Sequence, residues 1–197
     1  MAIRPTKFRM TTDTRFGLFL FQKTSQEHKV LKDLLQFLKT LAPGKKSSFS
    51  YIEAETSLHP DLTLWENLQL VSGVSAWEDL HHYLKPDQIA LMNLLKTPDK
   101  KSEDSEFWEN FAVSLLKGLI CPSQNLLIDM NENLLTPFMI QNFKKILLHT
   151  TQYKTVYLAS ANSSLWLDCA HTIVDRKEYK FEIQKLDSES IRKYWAA

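Results

Sequence analysis

Hydrophobic positions along this chain fall into two alternating kinds of run. The first, FGLFLF at 16–21, is nearly continuous and predicts a strand buried on both faces. After the polar stretch QKTSQE, Val30, Leu31, Leu34, Leu35, Leu38 and Leu41 recur at three- and four-residue spacing, which predicts an amphipathic helix. Thr24 with Glu27 makes a capping box at its start, and Pro43-Gly44 ends it. Further strands are expected at 49–52, 126–129 and 155–160, with a hairpin from 172–175 and 179–183. Helices are expected at 63–71, twice between 75 and 95 with the second opening at Pro86-Asp87, at 106–119, from Thr136-Pro137 onward, at 164–170 and at 187–195. Lys96 to Asp104 reads as a solvated loop. Strands alternating with helices predict an α/β layer structure with a mainly parallel sheet.

Composition narrows the function. Apolar residues are 44% of the 197, which suits a folded chain rather than a disordered one. Lys and Arg number 24 against 23 Asp and Glu, a net charge of +1, so no global field favours nucleic acid. Two cysteines, Cys121 and Cys169, have no CxxC spacing and suggest a reducing compartment. No run reaches the roughly 18 apolar residues of a membrane span, and the opening residues lack a signal-peptide core. A cytoplasmic protein is therefore expected. The 4 glycines decide most, because average usage would give roughly 14. Loops that wrap phosphate with backbone amides need glycine for close approach.

Three segments, in order, resemble an ATP-binding cassette (ABC) ATPase domain over about residues 16 to 184. YIEAETSLHPDLTLWENL from Tyr51 resembles the segment after the family's Q-loop. LLIDMNENLLTP from Leu126 resembles the Walker B strand and D-loop, and TVYLASANSSLWLDCAHTIVD from Thr155 resembles the switch-histidine strand and its continuation. The resemblance implies a P-loop NTPase-like fold over 1–197, with a helical arm at about 60–105 and a reduced N-terminal antiparallel part in which Phe8 is the sole aromatic. It also implies that the strand at Phe16 lies beside the strand at Leu126.

Matched residue by residue, the chemistry departs from the family's pattern. The Walker A stretch corresponds to QKTSQEHKV, with Gln22 and Glu27 for the glycines, His28 for the lysine and Lys29 for the hydroxyl. Glu27 would place a carboxylate where a helix N-terminus should hold phosphate. Asp129 matches the Walker B aspartate, but Met130 stands at the catalytic glutamate and has no group to accept a proton. Ala161 stands at the switch histidine, Thr136 at the D-loop aspartate, Ala54 or Glu55 at the Q-loop glutamine, and SEDSEFWEN holds no signature glycine.

The expectation is a pseudo-ATPase without catalytic residues, cofactor or metal. It would act as a structural or regulatory subunit through protein partners: a second copy, an ABC ATPase, or a membrane permease contacted from the cytoplasm, the last of which implies a peripheral place on the inner face of the membrane. Trp65, Trp77 and Trp108 lie in the region corresponding to the family's permease-binding groove and are the candidate partner contacts. The alternative is residual ATP and magnesium binding, with slow hydrolysis through Asp129 and Lys23 or Lys29. A third reading is an unrelated α/β binding module.

Overall fold

The computed structural model describes residues 18–22, 36, 49–53, 58–177 and 180–185. Of the expected helix at 30–41 only Gln36 is described, and it is helical; the expected helix at 187–195, the capping pair Thr24 and Glu27, and the N-terminal part with Phe8 lie outside these residues, as do Lys23, Ala54, Glu55, His28 and Lys29.

Among the described residues six strands form one sheet: β1 (Leu18–Gln22), β2 (Phe49–Ile52), β3 (Asn125–Asp129), β4 (Thr155–Ser160), β5 (Thr172–Lys177) and β6 (Lys180–Lys185). Their order is β2-β3-β4-β1-β5-β6, parallel throughout except for the β5–β6 hairpin. The expected mainly parallel α/β architecture is therefore observed. The adjacency implied for the strands at Phe16 and Leu126 is not. β4 stands between them, with Leu18–Gln22 registered on Val156–Ser160 and β3 on the other side of β4. β4 is buried at all six positions, which is what a central strand covered on both faces requires.

Four α-helices are described: α1 (Leu64–Ser72), α2 (Pro86–Met92), α3 (Phe107–Ile120) and α4 (Pro137–Thr150). Each start has a local cause. Thr63 caps α1 by accepting from Glu66 N at 3.0 Å while its own N–H donates to Glu66 Oε2 at 2.8 Å. Asn67, fully buried, accepts from His59 N at 2.8 Å and donates to His59 O and Thr63 O at 3.0 and 3.1 Å, so the HPDLT turn is tied to the helix. Gly73 ends α1 in the left-handed region at φ 66. Thr136 and Pro137 open α4 as the sequence predicts, with Thr136 Oγ1 accepting from Met139 N at 3.3 Å. The expected helices at 75–95 are a 3-10 turn (Glu78–His82) and α2; the one at 164–170 is a 3-10 turn (Ser163–Leu165) followed by turns.

One apolar core joins these elements, with Phe111 and Phe143 edge to face at 5.2 Å where α3 meets α4. Gly118 lets α3 approach the sheet. An added Cβ there would lie 2.8 Å from Leu126 Cδ1 and 3.0 Å from Ile52 Cδ1. Among the described residues no helix is long and apolar enough to cross a membrane.

Candidate functional site at the carboxyl edge of the sheet

Open parallel sheets bind ligands outside the carboxyl ends of their strands, where loops leave the sheet and side chains converge. Here that edge collects the ends of β1, β3 and β4. Gln22 closes β1 in register with Ser160 of β4, and Asp129 closes β3 in register with Ala159. The sequence-predicted positions Gln22, Asp129, Met130 and Ala161 thus come together. Glu27, His28 and Lys29 lie outside the described residues.

Asp129 is buried, as is Met130, whose N–H donates to Ala159 O at 2.9 Å and carries the chain out of β3 against β4. Ala161 is exposed. The charge of Asp129 is felt across the edge by Tyr51 on β2. Burial first, then the Asp129 and Glu53 carboxylates, push the Tyr51 hydroxyl up to about 12.

A polar cluster that the periodicity does not reveal fills the space between the segments after β3 and β4. Glu132 is buried, and its Oε1 accepts from both the Ser160 hydroxyl and Trp166 Nε1, the latter at 2.9 Å. Ser160 Oγ in turn accepts from Asn162 N at 3.1 Å. Trp166 is therefore more than the packing residue its Leu neighbours suggest, since its indole N–H has a specific acceptor. Beyond it, Lys144 on α4 holds Asp168 through both carboxylate oxygens at 2.8 and 3.0 Å. The edge is thus cross-linked by its own side chains. The only sequence signal for this was the polar stretch MNEN, whose partners lie 28 and 34 residues further on.

The three tryptophans sit elsewhere. Trp65 and Trp77 meet edge to face at 5.5 Å, and Trp108 Nε1 donates to Glu106 Oε2 at 2.7 Å. All three are half-buried against the core. His81 and His82 are exposed on the 3-10 turn, and among the described residues no cluster of His, Cys, Asp and Glu has the form of a metal site.

A cleft of about 610 Å³ opens at the opposite edge of the sheet, where Gln124 and Lys154 precede β3 and β4. It lies between that edge, the C-terminus of α3 and the segment linking α1 to α2. Lys154 is buried there, and its Nζ donates to Cys121 O at 2.6 Å, Ser123 O at 2.7 Å and Gly118 O at 3.3 Å. It thereby satisfies carbonyls at the end of α3, which that helix cannot satisfy itself.

No family model and no curated protein matches the chain by sequence. Solved structures do match by fold. One is the dimeric structure of a post-hydrolysis state of the ATP-binding cassette MJ0796 bound to ADP and Pi, with a TM-score of 0.68 at 12% identity over 91% of this chain and 89% of that one. The fold is that of an ABC ATPase-like, P-loop NTPase-like α/β domain. At this identity the likeness concerns the fold.

Proposed function

We propose that this chain is a non-catalytic ABC-ATPase-like protein that acts through protein contacts, as a structural or regulatory subunit of an ABC transporter or a related membrane complex. The observation that carries this reading is Met130. It follows Asp129 at the carboxyl edge, is buried, and is fixed by its backbone to β4. A thioether there neither accepts a proton from water nor orients it for attack on phosphate.

The described residues fit a magnesium nucleotide poorly. Asp129 is the carboxylate that would face a metal at this edge, while the nearby Glu132 carboxylate and Ser160 hydroxyl are already bonded to each other. Ala161 offers no hydrogen-bonding side chain at the switch position. Without a ligand that binds two states differently, nucleotide has no leverage on the conformation of the chain or of a dimer. Partners are then recognised constitutively. A second copy and an ABC ATPase are the first candidates, since one of the matching solved structures is described as dimeric. A permease contacted through the surface around Trp65, Trp77 and Trp108 is the third.

Calorimetric titration with ATP and magnesium, with thermal melts alongside, tests the proposal. No heat and no stabilisation at millimolar ATP is the expected result. Ligand at a hundred times its Kd stabilises a fold by about 2.7 kcal/mol, and a shift of that size would overturn the reading in favour of residual nucleotide binding. Phosphate release adds a second arm: hydrolysis by the parent chain would overturn a non-catalytic role, and hydrolysis gained only in Met130→Glu would keep Met130 as the missing base but overturn the absence of nucleotide binding.

A further inference from the structure

We propose that the cleft at the amino-terminal edge of the sheet binds a small soluble amphipathic anion, an aromatic or aliphatic acid or phosphate ester, with its head on Lys85 and its apolar body against Leu80, Leu84 and Leu119. The site is on the far side of the sheet from Asp129, so it stands or falls independently of the proposed function.

Size and lining come first. At about 610 Å³ the cleft falls within the range of pockets that hold small organic ligands. Leu80 and Leu119 line it and are almost wholly buried, so they supply a fixed apolar wall. Tyr83, exposed, and Tyr153, half-buried, add ring surface.

Charge supplies the sign of the ligand. Two ammonium groups, Lys85 and Lys154, line the cleft, and neither forms an ion pair among the described residues. Asp79, the one lining carboxylate among the described residues, pairs with neither. The two lysines also sense each other. Burial lowers the Lys154 pKa, and the Lys85 charge lowers it further, against an opposing contribution from Cys121. Two mutually repelling cations, neither paired with a carboxylate, leave a positive field that an anion would relieve.

Geometry assigns the head group to Lys85. The Lys154 ammonium spends its donors on the three carbonyls at the end of α3 and contributes field rather than contact. Lys85 is exposed, and its Nζ sits 3.2 Å from the centroid of the Tyr153 ring. That cation–π contact fixes the ammonium at the cleft wall and uses none of its N–H donors on an oxygen acceptor.

Cys121 lines the same cleft and is half-buried, whereas Cys169 is buried elsewhere, so a thiol reports occupancy without any mutation. The experiment follows alkylation of Cys121 by iodoacetamide on the full chain, read at the Cys121 peptide by mass spectrometry. Phenyl phosphate is expected to slow the reaction saturably, by about fivefold near saturation, while benzyl alcohol and inorganic phosphate alone do not. Lys85→Met should abolish the protection and Lys85→Arg should keep it, with thermal melts showing both variants folded. Absence of protection by phenyl phosphate, or undiminished protection in Lys85→Met, overturns the proposal. Equal protection by inorganic phosphate would remove the apolar subsite from it. Protection by phosphatidylglycerol vesicles without any by phenyl phosphate would assign the surface to a membrane and overturn the soluble ligand.

Discussion

Glu132→Ala tests whether the carboxyl edge is held by its own side chains. Oε1 of Glu132 accepts two hydrogen bonds, from Ser160 and from Trp166. Both donors are fully shielded, at 0% exposure, so water does not replace the lost acceptor. A buried donor left without a partner costs about 1–3 kcal/mol. The Ser160 hydroxyl can turn, which lowers its share, while the indole N–H is fixed by a side chain packed on every side. Relief of a buried carboxylate offsets part of the loss, and the void left by the missing atoms adds to it. The net expectation is a loss of about 2–4 kcal/mol, a large part of a typical total of about 5–15 kcal/mol. Glu132→Gln keeps an acceptor oxygen in the same place and gives up only the charge-assisted part, about 1 kcal/mol. Urea titration followed by near-ultraviolet circular dichroism reads both the stability and the fixing of Trp166. In a thermal melt the alanine variant should fall by about 5–15 °C, at about 2–4 °C per kcal/mol for a chain of this size. Alanine within 0.5 kcal/mol of the parent (on the order of a neutral surface change), or glutamine as damaging as alanine, would refute the argument. If Glu132→Gln instead removed a measurable ATP hydrolysis, the residue would be acting in chemistry and not in structure.

The close approach of α3 to the sheet and the buried thiol give two more tests. Gly118→Val should cost about 2–3 kcal/mol in urea, since the new side chain meets Leu126 and Ile52, both buried, whose Cδ1 atoms an added Cβ would already approach to 2.8 and 3.0 Å. Stabilisation through better helix propensity would contradict that packing. Burial, then the Asp168 charge, raise the Cys169 pKa from 9.0 to about 12. Between those values the folded chain keeps a proton that the unfolded chain releases, so stability is lost as pH rises above 9. The stability difference between the parent and Cys169→Ala should therefore move steadily against the parent from pH 8 to pH 11. A constant difference would refute the shift.

The parts of this fold that were legible in the sequence are those governed by near neighbours. Continuous apolar runs mark β3 and β4 because both faces of a parallel sheet are covered, and Thr136-Pro137 marks the start of α4 because capping is decided within one turn. Strand order was not legible. Nothing in FGLFLF distinguishes pairing with the strand at Thr155 from pairing with the strand at Leu126, and the adjacency implied by the family resemblance was wrong by one strand. The polar clusters were hidden for the same reason. Glu132 finds Ser160 and Trp166, and Lys154 finds Gly118, Cys121 and Ser123, across 28 to 36 residues. In sequence each is a charged residue in a polar stretch between apolar runs, and only the fold turns Glu132 into an acceptor and Lys154 into a helix cap.

The segments that carry the family resemblance also have local structural work, which bears on how far that resemblance reaches. In HPDLTLWENL, Thr63 and Glu66 form a reciprocal cap and Asn67 ties the preceding turn to α1. In LLIDMNENLLTP, the apolar residues build β3, Glu132 links the segments after β3 and β4, and Thr136 opens α4. None of these roles requires a nucleotide. A chain can keep such residues because the fold needs them while its carboxyl edge carries Met130 beside Asp129. Fold likeness and loss of chemistry are therefore compatible on physical grounds. The discriminating quantity is the response of this edge to ATP, set against the response of the opposite cleft to an organic anion. Because Lys85 and Asp129 lie at opposite ends of the strands, each titration can fail without affecting the other.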